Sequence, residues 1–278
     1  MIYFGLKPIA KFLRSNNKRL GFAGGMGQII SQLFANNEQG FAFDFNDLST
    51  MYQDAAGTIP VTGVGQPVGK VLDKSGRGNH ATQSTSAKRP ILQQNATTGA
   101  YYLAFDGVDD FLMTNSFNLN SDEVSLFLAI RKLNDRGQNT IIDYGFFNSN
   151  SFGVVVGGAG GSESYTSASS GSMIQYAIFK KSDDPSFNAP NSSVLSVLAK
   201  ISTSSNILRL NGRQKAINTS SQGTGNYTAR SLFIGSLQGA QYLFNGHLYS
   251  LIGVARLATP TEITNTENTI TKNVGVTL

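Results

Sequence analysis

Between Tyr101 and Ala255 the sequence is a succession of short β-branched and aromatic segments with no helical stretch between them. They are YYLAF (101–105), FLMT (111–114), VSLFLAIR (124–131), TIIDYG (140–145), FGVVVG (152–157), MIQYAIF (173–179), VLSVLAKI (194–201), ILRLNG (207–212), SLFIGS (231–236) and HLYSLIGVA (247–255). Gly, Asn, Asp and Ser bound them, as turns between strands require. A parallel α/β sheet would need helices in the connections, so the pattern predicts antiparallel strands, and their spacing predicts a sandwich. Gly157–Ser172, GGAGGSESYTSASSGS, reads as the most loop-like part of the body, an exposed crossover.

Both ends read differently. Lys7–Arg14 (KPIAKFLR) carries Pro8 where a first helical turn tolerates it, with Ile9, Phe12 and Leu13 at helical spacing. A glycine cluster follows at 21–27. Gln28–Asn37 then offers Ile29, Ile30, Leu33 and Phe34 as the apolar face of a second short helix. Helices this short are not stable alone in water, so they must dock on something. Residues 1–40 are therefore expected to form an assembly arm, with Lys7, Lys11, Phe12, Leu13, Arg14, Lys18, Arg19, Ile29, Ile30, Leu33 and Phe34 as its contact residues. A body over 41–278 follows, with a turn-rich lead-in at 41–100. Thr259-Pro260-Thr261-Glu262 is a capping box that opens a C-terminal helix over 259–273.

Charge is concentrated at the start. Lys7, Lys11, Arg14, Lys18 and Arg19 are the only charged residues before Glu38. Of 22 Lys and Arg, these five leave 17 against 17 Asp and Glu, so the body is neutral and the arm carries the net charge of +5. Such an arm could contact nucleic acid, a membrane surface or a neighbouring subunit. Basic residues here are not interleaved with aromatics, which disfavours base recognition, and no sustained amphipathic face favours a membrane. Docking into an assembly is the favoured reading. Charged residues make up only 14% of the chain, which suits surfaces that pack against other subunits. With no cysteine there is neither a disulfide framework nor a thiolate metal site. No apolar run approaches the roughly 18 residues of a membrane span, and MIYFGL is too short for an export signal.

From DKSGRGNHAT (73–82) through FDGVDDFL (105–112), VSLFLAIR, ILRLNGRQKAI (207–217) and FNGHLYSLIGVARLATPTEI (244–263), the chain resembles the laminin G-like branch of the concanavalin A-like superfamily. That resemblance covers roughly residues 70–265. It implies an all-β, two-sheet antiparallel jelly roll with a short helical N-terminal arm and a short C-terminal helix. A second, narrower resemblance covers residues 28–100 and the C-terminal NVGVTL, which look like structural proteins of tailed bacteriophages. It implies a non-enzymatic virion component, in capsid decoration or in a tail or fibre, anchored by its arm, self-associated and contacting other virion proteins. The alternative is a carbohydrate-binding module for host-surface glycans during adsorption.

Catalytic constellations are wanting. Hydrolytic relatives of this fold set acidic residues two and four positions apart on one strand face, and no such run occurs here. His80 and His247, the only histidines, lack a G-x-S-x-G elbow. The glycine runs at 21–27 and 63–69 lack the Lys-Ser/Thr of a phosphate loop. No cofactor is expected, apart from calcium. Laminin G-like domains often bind it at the rim, which makes Asp106, Asp109, Asp110 and Asp143 candidate ligands, although turn aspartates also bond their own backbone. For sugar stacking the chain offers Tyr144, Tyr165, Tyr176, Tyr227 and Tyr242, each equally a core-edge or interface residue, and no Trp.

Overall fold

The computed structural model describes residues 25–278 apart from 136, 146–147, 159–164, 172–174 and 181–182. Numbered along the chain, its strands form two antiparallel sheets. The first holds β1 (Gly40–Asp44), β5 (Ile91–Gln94), β6 (Tyr101–Asp106), β8 (Glu123–Lys132), β13 (Ser192–Lys200), β14 (Ser205–Leu210), β15 (Arg213–Asn218) and β17 (Asn245–Val254). The second holds β2 (Met51–Tyr52), β3 (Lys70–Val71), β4 (Ala81–Thr82), β7 (Leu112–Thr114), β9 (Asn139–Tyr144), β10 (Ser151–Val156), β11 (Tyr165–Gly171), β12 (Gln175–Lys180) and β16 (Phe233–Ile234). Two helices, α1 (Met26–Leu33) and α2 (Pro260–Val274), complete the fold. The expected two-sheet antiparallel sandwich is the architecture of this chain. None of its described helices is long and apolar enough to cross a membrane.

Alternation along β8 shows how the layers form. Val124, Leu126, Leu128 and Ile130 enter the core between the sheets, where Leu195, Val197, Leu248, Ile142 and Phe152 meet them. The intervening Phe127 and Ala129 face the other way and are just as buried, because α1 and α2 cover that outer surface together with Tyr249, Ile252 and Val254. The centre of the first sheet is thus covered on both sides, and VSLFLAIR reads as an unbroken apolar run for that reason.

Strand β17 holds the first sheet together. Its first half pairs with β6, its second half with β1, and nearly its whole length with β8. The helix ends are pinned by charge. Thr259 and Glu262 close the expected capping box. Glu267 is buried on α2, grips Arg209 through two bonds of 2.8 and 3.0 Å, and accepts from Ser196 Oγ at 2.9 Å. Arg256, just past β17, joins Glu38 at 2.9 Å, both carboxylate oxygens of Glu262, and the Leu33 carbonyl at the end of α1.

Two sequence readings change. The expected crossover at 157–172 contains β11, whose backbone pairs with both β10 and β12. Its small polar residues carry little strand signal, but the ladder is made by main-chain groups that every non-proline residue supplies. The described part of the segment before residue 41 is also no detached arm. Ile29, Ile30, Leu33 and Phe34 are buried in the second core, inside this same chain.

Candidate functional site

Aspartates gather at the turn after β6. Gly107 takes φ +76°, and a side chain there would run into Asn245 at 2.7 Å. Asp106 Oδ1 accepts the amides of Val108 and Asp109 at 2.8 and 3.3 Å, while Asp110 Oδ2 accepts the Asp106 amide at 3.1 Å. Oxygens of Asp106, Asp109 and Asp110 lie within 4.8 Å of one another. Burial, reinforced by the neighbouring Asp106 and Asp109, pushes the Asp110 carboxyl up to about 6. Asp143 does not join them; it sits on β9 of the second sheet. Calcium at this turn would have to share carboxylates that already brace the turn's own backbone.

Other residues singled out from the sequence take structural places. Lys7, Lys11, Phe12, Leu13, Arg14, Lys18 and Arg19 lie outside the described residues. His80 Nδ1 accepts the Asp73 amide at 3.0 Å. His247 stacks on Tyr102 with ring centroids 4.0 Å apart, and burial together with Arg131 depresses its pKa to about 4. Among the described residues neither histidine bonds a serine or a carboxylate. Tyr144 and Tyr227 are core residues, their hydroxyls bonded to the Phe117 carbonyl and to Ser170. Tyr176 packs on Val155 and Leu237, and Tyr242 is exposed. The side chain of Tyr165 lies outside the described residues, and the other four tyrosines line no common groove.

The arrangement with binding chemistry lies on the outer face of the second sheet. Register aligns Met113, Phe233, Asp143 and Gly153 on neighbouring strands β7, β16, β9 and β10. Phe152 and Val154 flank Gly153 and point into the core, so this row faces outward. Over it opens a hollow of about 440 Å³, lined chiefly by Ser116, Asp143, Asn148, Arg230, Phe233 and Gln238. Asp143 forms its floor, fully buried, with Oδ2 accepting the Gln238 amide at 3.0 Å and so holding the turn after β16. Phe233 is half-buried and braced by Phe111 at 6.3 Å between centroids.

Arg230 forms the opposite wall. Its backbone pairs with Phe117, and its side chain lies across Gly145. Gly145 has φ +80°, and a Cβ there would fall 2.1 Å from Arg230 Cδ, so only glycine leaves the arginine this path. Arg230 Nη2 donates to the Ser149 carbonyl at 3.2 Å, while Nε is sheltered with no acceptor. A guanidinium, side-chain amides, hydroxyls and one aromatic face thus converge on a space of small-molecule size. A larger hollow of about 610 Å³ beside Val274–Leu278 is less apt. Its Asp184 is already paired with Lys215 at 2.6 Å.

Only Asp143 of the pocket had been singled out from sequence, and then as a metal ligand. Sequence patterns could not unite residues 116, 143, 145, 148 and 229–238, which only the strand register brings together.

No family model and no curated protein matches the chain. Solved structures do. The binding domain of botulinum neurotoxin DC in complex with SialylT aligns with a TM-score of 0.50 at 13% identity, over 72% of this chain and 48% of that one. The botulinum neurotoxin serotype D ligand binding domain in complex with N-acetylneuraminic acid gives 0.51 at 12% identity, over 71% and 48%. A botulinum neurotoxin type C structure, whose cell entry is described as dependent on two ganglioside molecules, gives 0.51 at 13%, over 72% and 48%. This chain spans about half the length of these proteins. At such identities the likeness is one of fold: a β-sandwich of the kind found in binding domains.

Proposed function

We propose that this chain is a non-catalytic β-sandwich module that binds surface glycans. The observation that carries the reading is the pocket on the outer face of the second sheet, where polar side chains surround a half-buried ring. Sugars present hydroxyls to groups of the first kind and C–H faces to the second. Support also comes from the fold neighbours, two of which are complexes with sialylated ligands or sialic acid. The purified chain should bind a subset of glycans on an array and retain them in solution by calorimetry. Absence of binding to every glycan at millimolar concentration would overturn the reading.

The setting we propose is the virion of a tailed phage, in capsid decoration or in a tail or fibre, with repeated copies and with residues 1–24 contacting other virion proteins. This rests on the resemblance of residues 28–100 and the C-terminus to phage structural proteins, and on the five basic residues placed before Leu20. Cryo-electron microscopy of purified particles tests it. Density for the sandwich on capsid or tail supports it, and absence from the particle removes it.

A further inference from the structure

Resting on the glycan-binding reading, we infer that the pocket of the second sheet takes an acidic sugar, with Arg230 receiving its carboxylate and Phe233 one face of its ring. The inference starts from charge. Arg209 and Arg256 are also half-buried, and each grips a carboxylate through two bonds. Among the described residues Arg230 grips none: it donates to the Ser149 carbonyl, and Nε has no partner there. Arg77 also has an unmatched Nε, but it lines neither hollow. A guanidinium presents a fork of donors that matches a carboxylate in two parallel bonds. At Arg230 that fork borders an open pocket.

Asp143 does not cancel this preference. Its side chain is fully buried, and Oδ2 accepts the Gln238 amide, so the charged donors that reach the opening are those of Arg230. Asp143 acts as a positioning residue that fixes the Gln238 turn. Asn148, Ser116 and the Gln238 side chain remain as neutral partners for ring hydroxyls. Phe233, on the central row of the sheet, offers the apolar surface on which a pyranose ring can rest. Neutral sugars would lose the Arg230 contact and bind more weakly.

The test uses the full chain and nitrogen-15 NMR, with N-acetylneuraminic acid, glucuronic acid, galactose and acetate as probes. The two acidic sugars should shift the amides of residues 143–145, 148–149 and 229–239, and bind at least about tenfold more tightly than galactose or acetate, the margin of a charge-assisted bidentate contact. Arg230→Gln should remove that margin and Arg230→Lys should restore part of it, with both spectra otherwise native. Phe233→Leu should weaken all the sugars and leave acetate unchanged. Acidic sugars bound elsewhere, or with equal strength by Arg230→Gln, would refute the pocket while the glycan reading stands. Tighter binding of galactose in this pocket would refute the acidic preference alone. Acetate binding as tightly as the sugars would make it a general anion hole. Failure of these probes here, with a different glycan captured on an array, refutes the inference only; failure of every glycan refutes both.

Discussion

Replacing Arg256 by alanine should cost about 2 kcal/mol and should loosen α1 before the rest of the molecule. The guanidinium makes a 2.9 Å bond to Glu38, bonds of 2.8 and 2.6 Å to Glu262, and a 3.0 Å bond to the Leu33 carbonyl. Charged hydrogen bonds contribute about 1.5–3 kcal/mol each when buried, but exposed ion pairs contribute at most about 1. Arg256 is about one-fifth exposed, and its loss orphans neither acid. Glu262 keeps the Thr259 amide at 2.8 Å, and Glu38 keeps the Asn36 amide at 2.9 Å. A sum near the lower end follows. The pH dependence is diagnostic. Arg256, and then the Thr259 cap, hold Glu262 at about 2, below its ordinary 4.5. A carboxyl whose folded pKa is depressed stabilises the fold fully above about pH 4.5, and that contribution fades as pH falls toward 2. The gap between wild type and variant should therefore be full at pH 7 and shrink between pH 4.5 and 2. Urea titrations across that range measure it, and amide exchange over residues 26–34 should accelerate first. A cost below about 0.5 kcal/mol at pH 7, or a gap that does not change with pH, would refute the reasoning.

Asp110→Asn should stabilise the protein by about 1 kcal/mol at pH 8 once solvent screening is allowed for. The Asp110 pKa is raised, so its carboxyl favours folding below about pH 4 and opposes it as pH rises through about 6; the gain should vanish in acid. If calcium instead raises the wild-type melting temperature and not the variant's, the turn is a metal site. Leu33→Ala removes a side chain only 1% exposed and should cost about 2–4 kcal/mol in urea unfolding. Gly145→Ala meets both φ +80° and Arg230 Cδ, and should cost about 1–3 kcal/mol while displacing the arginine, read as loss of acidic-sugar binding.

What the sequence revealed follows the range over which each signal acts. The capping box at Thr259–Glu262 is a contact three residues apart, and it formed as read. Strands such as β8 and β13 carry enough β-branched residues to be seen, although which face of β8 met a helix was not visible, since both faces are apolar. Strands β2, β3 and β4 are two residues long and lie in a glycine- and proline-rich stretch, where only pairing partners define them. Tyr165–Gly171 was missed because serine and glycine signal turns locally, while a central position between β10 and β12 overrides that preference. The pocket is the extreme case. Arg230 and Asp143 are 87 positions apart in sequence, and their approach depends on β16 lying beside β9.

Both helices rest on the outer surface of the first sheet, on the side of the sandwich opposite the pocket. A support that engages this helix-covered side would therefore leave the Arg230 face free, because that face belongs to the outer surface of the other sheet. A row of copies fixed to one support would turn the same face outward. Weak single-site contacts could then add across a glycan-covered surface, and the strength of attachment would be set by spacing and number more than by the affinity of any one pocket.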